Sequence, residues 1–185
     1  MLFEATHGQG PHADSSCCLR SGAVKLLRMA GHKELLQEFQ EFSLSAANAE
    51  RLMQHICDRL HQTKSRYNWI GFYLLDKNDP TVLVVAPYTG SFTPNVRVPV
   101  DRGLCGAAAS TGMTVVADDV SKDPRYLAGT DMVKSEMTVP MFAGKKLVGV
   151  LDAESYFLAT FNTLEKDLVE ACAAIVGRYF EKNPF

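Results

Sequence analysis

No two of the five cysteines in this 185-residue chain are spaced Cys-x-x-Cys, and no cysteine or histidine pair has zinc-ligand spacing. Cys17, Cys18, Cys57, Cys105 and Cys172 are odd in number and unevenly spread. That argues against a disulfide framework and for a reducing, cytoplasmic setting, with no metal and no cofactor expected. There is no run of the roughly 18 or more apolar residues that a membrane span needs. Glu4, His7, His12 and Asp14 interrupt any signal-peptide core, so no membrane partner is expected. A basic stripe is missing too. The formal net charge is −2, and the nearest thing to a basic cluster is Lys145-Lys146 in a turn, which excludes nucleic acid as a first reading. Internal repeats and low-complexity tracts are absent.

What is present suits one domain. A hydrophobic content of 46% fills one core. Residues 1–20, with Gly8, Gly10, Pro11, Ser15 and Ser16, read as a flexible leader, and residues 21–185 as a single domain. From about 32 to 64 the pattern is helical. Leu35, Leu36, Phe39 and Phe42, then Leu52, Ile56 and Leu60, recur at three- and four-residue spacing, with a break at Ser43–Ala46. Trp69–Leu75 and Val82–Val85 read as antiparallel strands joined by a turn at Asp76–Pro80. Val96–Val100 reads as a short edge strand. Gly103–Ser110 suits a short helix packed closely through Gly106 and its alanines, and Met113–Ala117 is a further strand. Residues 118–134 form a long polar connection, a length usual for a functional loop. Two more strands, Glu136–Phe142 and Lys146–Asp152, precede a helix over about 163–182 that Asn162 and Glu165 open as a capping box. The sum is an α+β domain: a central antiparallel sheet over about 68–155, flanked by N- and C-terminal helices, with a pocket-covering loop.

Five short motifs occur in order. They are Asn68-Trp69-Ile70-Gly71-Phe72-Tyr73-Leu74, Gly103-Leu104-Cys105-Gly106, Asp119-Val120, Ser135-Glu136 and Gly149-Val150-Leu151-Asp152-Ala153-Glu154-Ser155. Together they resemble the GAF family, specifically its free methionine-(R)-sulfoxide reductases. The resemblance implies a GAF fold whose sheet walls a closed pocket for a free amino acid. Residue by residue it implies that Glu136, Asp152 and Glu154 hold the ammonium and that Trp69 and Tyr73 wall the pocket. Glu154 stands where the family typically carries Asp. The family's chemistry uses a thiolate on the sulfoxide sulfur and cysteines that resolve it, with a thioredoxin-like reductant. Counted without gaps, the principal cysteine position is Gly129, within Tyr126-Leu127-Ala128-Gly129-Thr130, and a second falls in Pro94-Asn95. Only Cys105 remains.

The residues themselves leave alternatives open. Asp152 and Glu154 share a strand face, and with Glu136 they form either a cation-binding set or a solvated strand end. Cys105, at a strand-to-helix turn, is either activated by a helix N-terminus or a small buried residue. Trp69 and Tyr73 are either pocket wall or core. Cys57 and Cys172 lie on apolar helix faces and read as core. Met113, Met132, Met137 and Met141 read as packing, and Asp118-Asp119 as a solvated pair. No histidine lies near the motifs to serve as a base. The leading expectation is a stand-alone, non-catalytic GAF domain that binds a small amine-bearing metabolite, such as a free amino acid. One alternative is a divergent oxidoreductase using Cys105 with an external thiol, and another is a dimerisation module with a collapsed pocket. A homodimer through the terminal helices fits all three.

Overall fold

A computed structural model describes residues 15–92 and 94–183, with side chains from Val24 onward. The leader residues 1–14 and the side chains of Cys17 and Cys18 therefore lie outside the described residues. The elements run α1 (Ser15–Ser45), α2 (Ala49–Thr63), β1 (Trp69–Leu75), β2 (Val82–Gly90), β3 (Arg97–Pro99), α3 (Gly103–Thr111), β4 (Val115–Ala117), β5 (Ser135–Ala143), β6 (Lys146–Ser155) and α4 (Thr163–Lys182). A single 3-10 turn, Val120–Lys122, interrupts the long connection after β4.

The six strands form one sheet in the order β3-β2-β1-β6-β5-β4, with every neighbouring pair antiparallel. This is the α+β architecture expected from the strand and helix patterns. The break before α2 also falls where expected, because Asn48 caps that helix by accepting the Arg51 N–H at 2.9 Å. Helix α1 starts well before the periodicity at His32. Residues 24–30 are all exposed, so no apolar stripe marks that stretch of helix in the sequence. At α4 only half of the capping box forms. The Asn162 side chain accepts the N–H groups of Leu164 and Glu165. The Glu165 carboxylate turns inward instead and accepts the buried Tyr67 hydroxyl at 2.7 Å.

Both faces of the sheet are covered, which is why β1 reads as a continuous apolar run rather than an alternating one. On one face Ile70 and Phe72 of β1, Met137, Val139 and Met141 of β5, and Leu151 and Ala153 of β6 pack against α1, α2 and α4. Phe39, Leu52, Ile56 and Leu60 complete that core, and Cys57 and Cys172 are buried in it, as expected for core residues. Among the methionines, Met137 and Met141 pack as expected, whereas Met113 and Met132 are exposed.

On the opposite face Trp69, Tyr73, Val150, Leu83 and Val98 meet the short helix α3 through Cys105, Ala108 and Ala109. Helix α3 sits close because Gly106 has no side chain; a Cβ there would lie 2.9 Å from the Val100 carbonyl oxygen. This second face holds the polar residues of the strands, and so carries the candidate site. Among the described residues, no helix is long and apolar enough to cross a membrane.

Candidate functional site

Strand register decides which side chains meet. Glu136 of β5 lies directly opposite Glu154 of β6, and Thr138 lies opposite Asp152. On the other edge of β6, Glu154 faces Trp69 and Asp152 faces Gly71 of β1. Because side chains alternate along a strand, Glu136, Thr138, Asp152 and Glu154 all project to the α3 face. Glu136, Asp152 and Glu154 line a small cavity of about 30 Å³ together with Tyr73, Cys105, Phe92, Leu127 and Gly129, and Thr138 bonds Asp152 beside it. Larger grooves occur on the helical side, one of about 830 Å³ running along α1 and α4 past Gln37 and Tyr179, and one of about 390 Å³ beside Lys64, Tyr67 and Glu165, where the buried acid is already paired with a lysine and a phenol.

Among the described residues, no lysine, arginine or histidine lines the cavity. The donors available to its carboxylates are few. The Thr138 hydroxyl lies 3.0 Å from Asp152 Oδ1 and 3.4 Å from Glu136 Oε1, and its one proton goes to the nearer oxygen. Glu136 is 5% exposed and Asp152 2%. Glu154 Oε2 is sealed from solvent without a hydrogen-bond partner. Burial, together with the charges of Asp152 and Glu154, holds the Glu136 carboxyl well above the usual carboxylate range. Burial and the adjacent Asp152 do the same to Glu154. Asp152 is pushed up to about 7 by burial, against the lowering effect of the Thr138 hydroxyl and the Cys105 thiol. Three carboxyl groups therefore share a space in which burial and mutual repulsion disfavour ionising them together, and an entering cation would favour it.

The candidate residues named from the sequence separate here. Glu136, Asp152, Glu154, Tyr73 and Cys105 come together at the cavity. Trp69 does not reach it. Its indole lies flat on the sheet, where a Cβ on Gly71 or Gly90 would fall 2.4 Å from the ring, and it stacks on Tyr88 and Phe92 at centroid distances of 5.6 and 5.8 Å. It supports the wall from behind, because Phe92 itself faces the cavity. The phenol of Tyr73 is raised by burial and then by Asp152.

Cys105 is the third residue of α3, yet its thiol is pushed up, not down, by burial and by Asp152 and Glu136. The helix-activated thiolate is thus overturned: desolvation and negative neighbours outweigh the helix end. The sequence reading also missed Thr138, although its position two residues after Glu136 on a strand is the alternation signal that puts it on the same face. Phe92 and Leu127 were missed because loop residues carry no periodicity. The pair Asp118-Asp119 is not merely solvated: Asp119 accepts from the Ser121 backbone and pairs with Lys122 at 2.9 Å, opening the 3-10 turn. Gly129 and Pro94-Asn95, the positions matched to absent cysteines, all line the same cavity.

The chain matches known proteins along most of its length. The GAF domain model matches residues 46–181. A free methionine-R-sulfoxide reductase from Saccharomyces cerevisiae is 30% identical over 112 residues, 60% of this chain and 62% of that one. GAF domain-containing protein A of Dictyostelium discoideum is 34% identical over 105 residues, 56% of this chain and 65% of that one. The aligned stretch is thus under two thirds of either relative. The X-ray structure of free methionine-R-sulfoxide reductase from Neisseria meningitidis in complex with its substrate superposes with a TM-score of 0.78 at 30% identity, covering 85% of this chain and 93% of that one.

Proposed function

Because the chain belongs to the GAF domain family, we propose that it binds a small amine-bearing metabolite, a free amino acid or a close derivative, in the carboxylate-lined cavity, and that it does so without catalysis. The observation that carries this reading is the convergence of Glu136, Asp152 and Glu154 in a cavity with no basic side chain. An ammonium there meets three acceptors and replaces protons that the buried carboxyls otherwise have to hold. Tyr73, whose phenol stays protonated, contacts the ligand from the first strand. Trp69 contributes from one layer further out, through Phe92.

Relatives named as free methionine-R-sulfoxide reductases make methionine sulfoxide the first ligand to test. The absence of turnover is inferred from the thiols. Cys105 is the one cysteine at the cavity, and it is held protonated, which makes it a weak nucleophile. A divergent reductase using Cys105 with an external thiol, regenerated by a thioredoxin-like partner, is the competing reading, favoured by the placement of that thiol beside the carboxylates. At about 30 Å³ the cavity holds about one or two waters. Binding an amino acid therefore requires Phe92, Leu127 and Gly129 to withdraw.

The test is calorimetric titration with free L-methionine (R)-sulfoxide, with the (S) epimer as control. Saturable heat with the (R) form that is weakened at least tenfold by Glu136→Gln supports the amine reading. The expected loss follows from removing one charge-assisted hydrogen bond, about 1.5–3 kcal/mol. Turnover with dithiothreitol that disappears in Cys105→Ser would replace the non-catalytic reading by the reductase. Absence of heat with both epimers would remove the inherited ligand.

A further inference from the structure

The donor set beside α3 is more specific than a cluster of carboxylates. Cys105 Sγ and one carboxylate oxygen each from Glu136 and Asp152 lie within 4.8 Å of one another, and all three residues are buried. These atoms come from three elements, the first turn of α3, strand β5 and strand β6, so their meeting is a product of the fold and not of local spacing. The site also has unmet demand. Glu154 Oε2 at this cavity is sealed from solvent without a hydrogen-bond partner. Glu136 is 5% exposed, and the Thr138 hydroxyl approaches its Oε1 only at 3.4 Å. A volume of about 30 Å³ takes an ion with one water and not an amino acid.

We propose that this cavity is a divalent metal site in which Cys105, Glu136 and Asp152 bind Zn²⁺, with Glu154 or a water completing a four-coordinate shell. One soft thiolate with two hard carboxylates suits a borderline ion that accepts sulfur and oxygen together. Tetrahedral bonds of about 2.0–2.3 Å ask the donors to close up by about 1 Å. Side-chain rotation of Cys105, Glu136 and Asp152 can supply that movement without displacing the strands. On binding, the thiol proton and those of the carboxyl groups pass to solvent, and the ion replaces them as the positive charge. Three anionic donors and one divalent ion leave a single negative charge at the site when water is the fourth ligand, where three ionised groups without the ion would leave three. This inference goes beyond amine binding and stands without it. The two occupants share Glu136 and Asp152, so each excludes the other, but the thiolate marks the metal alone.

The probe is Co²⁺, whose bond to a thiolate gives a charge-transfer absorption in the near ultraviolet, followed by competition with Zn²⁺. The untagged full chain is titrated under reducing, metal-free conditions. One equivalent of Co²⁺ should produce the band, and one equivalent of Zn²⁺ should erase it. Cys105→Ser should abolish the band, and Asp152→Asn should weaken Co²⁺ binding about tenfold or more. The double variant Cys17→Ser, Cys18→Ser removes the two thiols whose side chains lie outside the described residues and should keep the full band. A wild-type protein without the band overturns the proposal. So does a band that survives Cys105→Ser, or one that vanishes in the Cys17, Cys18 variant. Since the amino-acid titration has its own readout, failure of either reading leaves the other measurable.

Discussion

Replacing Asp152 by asparagine tests the electrostatics of the cavity without emptying it. Asparagine keeps the shape and the acceptor oxygen that takes the Thr138 hydroxyl, and its amide offers donors to Glu136 and Glu154, which have too few. The ordinary aspartate value of 3.8 is raised to about 7 in the folded protein. That is about a thousandfold change in proton affinity, or about 4 kcal/mol at about 1.4 kcal/mol per tenfold. The sign follows from linkage. A raised folded-state pKa contributes stability that is complete below 3.8, declines as pH rises, and is gone above about 7. Asparagine has no proton to lose and keeps its contribution throughout. Asp152→Asn should therefore match the wild type within about 1 kcal/mol at pH 4 and gain on it up to about 4 kcal/mol by pH 8. At about 2–4 °C per kcal/mol for a chain of this size, the gap in Tm reaches about 10 °C. The assay is urea unfolding of metal-free, ligand-free protein at half-unit pH steps. Parallel curves for the two proteins would refute the argument, because they would mean that Asp152 is hydrated or already paired with a cation in the folded state.

Two other perturbations probe what holds the site in place. Tyr67→Phe removes the one donor to Glu165 Oε2 within 2.7 Å in a buried setting, and should cost about 1–3 kcal/mol in urea unfolding while leaving the cavity intact; a cost near zero would show that Lys64 alone satisfies that carboxylate. Gly90→Ala puts a methyl group 2.4 Å from the Trp69 ring and 2.8 Å from its Cα, so it should destabilise by about 1–3 kcal/mol and alter the emission of this single tryptophan; an unchanged spectrum would mean that the indole does not lie on that glycine.

The sheet was legible in the sequence because its strands alternate or run apolar in lengths that turns separate cleanly, as at Asp76–Pro80 and Gly144. Glu136, Asp152 and Glu154 could be named as a group because each sits beside a short motif and because alternation puts Asp152 and Glu154 on one face. Their register across β5 and β6 could not be read, since pairing partners are set by tertiary packing. The same limit hid the Cys105–Glu136–Asp152 donor set from a search for local ligand spacing. Trp69 misled for a physical reason: an aromatic on a strand shows the face it occupies, not the distance it lies from a pocket, and only the glycines beneath it fix that. The exposed stretch of α1 over residues 24–30 left no pattern at all, because a helical stretch without a buried face has no period to show.

Strand β5 serves two masters. Its odd-numbered residues Met137, Val139 and Met141 are clamped in the main core, while Glu136 and Thr138 face the cavity between them. The Glu136 carboxyl is thus anchored on a strand whose other face is packed in the main core. Loops 91–95 and 123–134, by contrast, contribute Phe92, Leu127 and Gly129 from outside that framework. Descendants of such a chain can change the size and shape of what they admit by altering loops, at little cost to folding. They cannot easily change its charge, since moving a carboxylate here means repacking the core behind it. If the proposed amine reading holds, a domain built this way can explore many ligands as long as they carry positive charge.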